Sequence, residues 1–125
     1  MSEAREVEIL AAAAHLANRA YCLGLDKNDS TQELWQEAPE WQRSSAIEGV
    51  KVVLAGEGRP EQLHAKWQAK KIAEGWKHGP VKDPEKKEHP CIVDNYYDLP
   101  EAQRLKDVIF YSTIRSMSKV MKLTP

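Results

Sequence analysis

Apolar positions in this chain recur at helical spacing in four stretches. Val7, Leu10, Ala11, Ala14, Ala17 and Tyr21 lie three or four apart, which predicts a first helix from about Glu3 to Leu23. Gly24 is the expected stop signal. A polar link follows, in which Ser30-Thr31-Gln32-Glu33 has the form of a capping box before a short turn carrying Trp35. Pro39 suits the start of a second helix, with Ala46, Ile47, Val50, Val53 and Leu54 on one side until AGEGRP breaks it. Pro60 opens a third, whose apolar contribution is Leu63, Trp67, Ile72 and Ala73, with Gly75 near its end. In the last helix Phe110, Ile114, Met117 and Met121 share a face, with Leu105, Val108 and Ile109 beside it. DLPEAQ announces its start, with Asp98 as N-cap, Pro100 in the first turn and Glu101 reaching back. The fold class is therefore mainly α.

Between the third and fourth helices the periodicity fails. EGWKHGPVKDPEKKEHPC, residues 74–91, neither alternates like a strand nor repeats like a helix. Loops of this length in compact domains are usually functional or disordered. A short extended piece or hairpin is expected around Cys91 to Val93, with pairing limited by the three prolines. Two helical segments begin alike, WQRSSAIEGVK at Trp41 and WQAKKIAEGWK at Trp67. The flanking positions do not continue the match, so chance similarity of amphipathic helices is the preferred reading.

Composition narrows the function classes. The 125 residues suffice for one domain with a real core, and 42% hydrophobic with 30% charged residues indicates a folded, well-solvated chain. A formal net charge of −1 gives no electrostatic reason to expect nucleic acid or an anionic membrane as partner. No apolar run approaches the roughly 20 residues of a membrane span, and the first ten residues lack a basic signal-peptide start. Cys22 and Cys91 have no metal-like spacing and read as reduced thiols, so a cytoplasmic location is expected.

The chemistry-bearing residues argue against an enzyme. There is no glycine-rich phosphate loop, and neither Ser44-Ser45 nor Cys22 carries the flanking signature of a nucleophile. His64, His78, His89 and Cys91 fit no common zinc pattern, so neither metal nor cofactor is expected. Trp76 is more informative. It stands at the exit of the third helix, before a loop carrying Lys77, Lys82, Lys86 and Lys87. An indole face beside ammonium groups suits a planar base joined to phosphates. The competing reading is that Trp76 is core and that those lysines interleave with Asp83, Glu85 and Glu88 as a solvated loop. His15, Asn18, Arg19 and Cys22 form a second stripe on the first helix beside Tyr21. That stripe either reads a polar ligand or ties the helix to its neighbours.

Residues 63–107 resemble the RyR domain, the repeat named after ryanodine receptors. The matching positions are His64, Trp67, Gly75, Trp76, Gly79, Pro80, Val81, Asp83, Lys86 or Lys87, His89, Pro90, Cys91, Leu99 and Pro100. AAHLANRAYCLGL and WQEAPEWQRSSAIEGV resemble the extra helices of stand-alone prokaryotic and phage members. The resemblance thus implies one domain over residues 1–125, with 1–58 as accessory helices and two long helices bridged by the irregular segment. It implies no channel activity. Receptor repeats bind adenine nucleotides through the Gly-Trp tryptophan, which corresponds to Trp76, so the resemblance implies a non-enzymatic module for an adenine nucleotide or nucleotide-derived signal. Trp76 would stack, Lys82, Lys86 and Lys87 would meet phosphates, and Asp83, His89, Asn18, Arg19 or Tyr21 would help form the site. Receptor repeats are paired and this chain has one clear copy, so a two-repeat pocket would require a homodimer, with Met117, Met121 and Trp41 as candidate contacts, or a substitute supplied by the first half of the chain. The alternative is a protein-interaction or assembly module anchored by Trp35 and Trp41 on an exposed face.

Overall fold

The structure is a computed structural model that describes residues 3–25, 33–56 and 58–121. Four α-helices dominate it: α1 (Glu3–Leu25), α2 (Glu40–Leu54), α3 (Pro60–Ala73) and α4 (Glu101–Val120). The protein is mainly α, as the periodicity indicates. None of the described helices is long and apolar enough to cross a membrane.

The apolar stripes meet in one core. Val7, Leu10, Ala11 and Ala14 of α1 pack with Val50 and Val53 of α2 and Ile114 of α4. Helix α1 lies against α2 and α4, and α4 also meets α2 and α3. Phe110, Met117 and Met121 extend this core as partly buried neighbours, so the two methionines serve α4 packing. Ile72 and Ala73 are exposed, as are Leu105 and Val108. Helix α3 therefore contributes less to the core than its apolar count suggests.

Helix starts follow proline where expected. Pro39 is the N-cap of α2 and Pro60 the first residue of α3, where its missing N–H costs nothing. At the start of α3 the Gln62 side chain accepts from the Arg59 backbone N–H at 3.0 Å. Helix α1 differs from expectation by running through Gly24 to Leu25. Ser30, Thr31 and Gln32 of the expected capping box lie outside the described residues, and the turn beyond them is a 3-10 turn at Trp35–Glu37.

Asp98 is not the N-cap of α4. It ends a separate 3-10 turn, Tyr96–Asp98, and Pro100 occupies the cap position without a side-chain cap bond. The reason is steric: a residue before proline is driven into extended backbone. Leu99 accordingly has φ −65° and ψ 148°, which separates Asp98 from the helix. The capping side chain in this region is Asn95, whose Oδ1 accepts from the Tyr97 N–H at 2.9 Å.

The irregular segment is ordered by a small sheet, placed differently from the expected hairpin. Strands β1 (Lys77–His78) and β2 (Glu88–His89) pair in parallel, with Lys77 opposite Glu88 and His78 opposite His89. Residues 91–93 form no strand because side chains and turns take up their backbone groups. The Cys91 N–H donates to His89 Nδ1 and the Ile92 N–H to the His89 carbonyl, while His78 Nδ1 donates to the Ile92 carbonyl. Gln68 then holds Val93 at both ends, donating to its carbonyl at 2.8 Å and accepting from its N–H at 3.0 Å. Two glycines permit this path. Gly75 leaves α3 at φ +94°, and a Cβ on Gly79 would stand 2.4 Å from Glu88 Cβ.

Candidate functional site

The helices and the bridging segment line a half-open cavity of about 410 Å³, within the range of small-molecule pockets. Helix α1 contributes His15 and Asn18, and α2 contributes Trp41, Gln42, Ser45, Ala46 and Gly49. Leu63, His64 and Trp67 come from α3, while His89 and Cys91 come from the bridging segment. Gln103, Asp107 and Phe110 of α4 complete the wall. The lining is therefore aromatic with a few polar groups, and Asp107 is its one formally charged side chain when histidines are neutral.

Aromatic contacts connect the wall to the segment above it. His64 sits 5.3 Å from the Trp67 ring and 5.6 Å, edge to face, from Tyr96. Trp67 meets His89 edge to face at 5.0 Å, and His89 in turn lies 6.2 Å from Trp76. Because His89 Nδ1 accepts from Cys91, the neutral ring carries its proton on Nε2. Burial lowers the His89 pKa, and the positive charges of Lys82 and Lys71 and the His64 ring lower it further.

Asp107 is anchored by two side chains. Its Oδ2 accepts from the Tyr96 hydroxyl at 3.0 Å and its Oδ1 from the Gln103 amide at 3.4 Å. Burial raises its pKa, partly offset by the Tyr96 hydrogen bond and by His64. Burial also raises the Tyr96 and Cys91 pKa values, with the Asp107 charge adding to both. Asn18 Nδ2 donates to the Lys106 carbonyl at 3.2 Å, tying α1 to α4 beside Asp107. Asn18 Oδ1 and His64 Nε2 are buried without a hydrogen-bond partner.

The residues singled out from sequence divide on this geometry. Asn18 and His89 line the cavity. Trp76, Lys82, Asp83, Lys86, Lys87, Arg19 and Tyr21 do not. Trp76 is half-buried, with the Lys71 ammonium 5.0 Å from its ring centroid. Asp83 shapes its own turn, its Oδ1 accepting from the N–H groups of Glu85 and Lys86. Lys87, at φ 53°, donates from Nζ to the Glu74 carbonyl at 2.8 Å, which serves the end of α3. Lys86 is exposed, and Lys82 is near enough to His89 to lower its pKa. Arg19 and Tyr21 are half-buried, and Arg19 Nε has no hydrogen-bond partner. Trp35 is 6% exposed and packs in the core against His15, whose Nε2 donates to the Glu33 carbonyl, so it cannot anchor a partner. Trp41, at 70% exposure, stands free at the cavity.

Sequence reasoning passed over Trp67 and Asp107 as site residues. A signal for Asp107 was present. Gln103, Asp107, Phe110, Ile114, Met117 and Met121 follow one helical face, so a carboxylate interrupts an otherwise apolar stripe. Among the described residues, no group of three or more His, Cys, Asp or Glu side chains is arranged to hold a metal ion.

The family model of the RyR domain matches residues 55–122, more than half of the chain. The chain belongs to the RyR-domain family. The matched region carries α3, the bridging segment and α4, whereas α1 and α2 precede it. No solved structure matches the chain. The cavity therefore joins two parts of the sequence: RyR-matched residues supply Trp67, His89 and Asp107, and the preceding helices supply Asn18 and Trp41.

Proposed function

We propose that this RyR-domain protein is a non-enzymatic binding module for a small planar heterocycle, an adenine nucleotide or nucleotide-derived signal. The observation that carries the reading is the cavity of about 410 Å³ walled by Trp67, His64 and Phe110. Aromatic walls favour a flat ring because stacking is worth roughly 1–3 kcal/mol per base. The base occupies the cavity and the phosphates point out of it, since neither Lys nor Arg is among the lining residues. Lys82 and Lys71, whose charges both act on His89, are the basic residues that would meet them.

Binding without chemistry is supported by the state of Cys91. Burial raises its thiol pKa, and the hydrogen bond to His89 Nδ1 comes from the Cys91 backbone N–H. A nucleophile needs the opposite of the first condition. The alternative of an assembly module, including a homodimer, is favoured by exposed apolar side chains, Trp41, Tyr97 and Val120 most of all.

Isothermal titration calorimetry with adenosine, AMP and ATP tests the reading. All three are expected to bind with affinities within about tenfold of one another, as a base-directed site implies. Trp67→Ala should weaken each by about 5- to 150-fold while the protein stays folded. Absence of heat with all three ligands would contradict the proposal.

A further inference from the structure

We infer that Arg59 and Arg115 form a second binding site, for a phosphate group, apart from the aromatic cavity. The site is a pocket of about 120 Å³ lined by Val53, Gly56, Gly58, Arg59, Tyr111 and Arg115. It shares no lining residue with the larger cavity and does not depend on a heterocycle binding there.

Two parts of the chain bring the arginines together. Tyr111 and Arg115 stand four residues apart on α4, so they share a face one turn apart. Arg59 is the N-cap of α3 and arrives from the turn that follows α2. Gly58 permits that close path, because a Cβ there would stand 2.8 Å from the Val53 backbone. The Arg59 guanidinium then lies over the Tyr111 ring, 5.9 Å from its centroid.

The charges at this pocket are not balanced by the protein. Glu61 accepts from Arg59 Nε at 3.0 Å, which leaves the two Nη groups of that guanidinium. Arg115 is half-buried and forms no ion pair among the described residues. The plainer role for both, capping the last carbonyls of α2, is already filled by backbone. The Lys51 carbonyl accepts from the Ala55 N–H and the Val53 carbonyl from the Gly56 N–H, each at 3.0 Å. Two guanidinium groups with one carboxylate beside them leave a local excess of positive charge in a chain of net charge −1. Guanidinium forks match phosphate oxygens in geometry as well as charge. The pocket is well below the roughly 300 Å³ at which small-molecule sites begin, so it suits a single phosphate group rather than a whole nucleotide.

Titration with inorganic phosphate near neutral pH, at ionic strength held constant with sodium chloride and followed in 1H–15N spectra, tests the site. The signals of Gly58, Arg59 and Arg115 should shift saturably, and the Trp67 indole signal should not, because Trp67 lines the other cavity. Arg115→Gln should weaken phosphate by about tenfold or more, since a charged donor is lost. Arg115→Lys, which keeps the charge without the fork, should fall between. Arg59→Gln should also weaken binding and serves if Arg115→Gln does not fold. Glu61→Gln removes the competing carboxylate and should tighten phosphate by about twofold or more. Methyl phosphate, titrated in the same way, separates the sources: tighter binding than inorganic phosphate supports a phosphate ester as ligand, and weaker binding supports the free ion. Absence of a saturable shift, or a phosphate affinity unchanged in the folded arginine variants, would overturn the inference.

Discussion

The rings of Trp67 and His89 meet edge to face at 5.0 Å, joining helix α3 to the segment that follows strand β1. Through this contact the irregular segment becomes part of a cavity wall. Trp76 also meets this histidine, at 6.2 Å, and is covered by Lys71. The two tryptophans should therefore respond differently to substitution. Trp76→Ala is expected to lower thermal stability by less than the ~3–5 kcal/mol typical of a fully buried aromatic, because Trp76 is only half-buried. Adenosine affinity, measured by calorimetry on the folded variant, should change by less than about threefold, against the larger loss expected for Trp67→Ala.

Gln68 is a stability residue outside the cavity wall. Its amide satisfies both backbone groups of Val93, so Gln68→Ala leaves a donor and an acceptor without partners. A cost of about 1–3 kcal/mol is expected from denaturant unfolding. Amide exchange at Val93 should accelerate more than at Ile114 in the core.

The capping arrangement before α4 makes a paired prediction. Asn95→Ala removes the cap on Tyr97 and should cost about 1 kcal/mol, whereas Asp98→Ala should stay within about 0.5 kcal/mol of wild type. Equal costs in chemical denaturation would contradict this assignment.

Protonation of His89 gives a pH dependence of definite sign. Burial and the nearby charges of Lys82 and Lys71 hold its folded pKa below the unfolded value of about 6.5. The unfolded chain then takes up a proton first, so stability should fall as pH drops below about 6.5, toward the lowered folded value. Asp107 acts in the opposite direction, because its folded pKa is raised and protonation at lower pH favours the folded state. In thermal melts between about pH 7 and pH 5, His89→Asn should flatten the loss seen in wild type.

Much of the helical framework was legible in the sequence because it rests on local signals. Pro39 and Pro60 mark helix starts, and the Val7, Leu10, Ala11, Ala14 stripe marks a buried face. The RyR resemblance was legible in the spacing from His64 to Pro100, and the family match confirms it over residues 55–122. What failed was long-range. Nothing near Lys77 in sequence shows that it will lie in parallel with Glu88, and nothing near Gln68 shows that it will bind Val93. Asp98 misled because its residue type suits a cap, whereas Pro100 decides the backbone. Trp76 drew attention through its adjacent lysines, and one of these, Lys87, turns its ammonium to the end of α3.

The four tryptophans provide the most direct test of where a ligand sits. In a two-dimensional 1H–15N spectrum each indole gives its own Nε1–H signal, assignable by single substitutions. On titration with adenosine, the Trp67 and Trp41 signals are expected to move in a saturable way, because both side chains line the cavity. Trp35, buried in the core against His15, should stay in place, and Trp76 should move less than Trp67. A saturable shift of Trp76 with Trp67 and Trp41 unmoved would place the ligand on the lysine-bearing loop and contradict the cavity as the binding site.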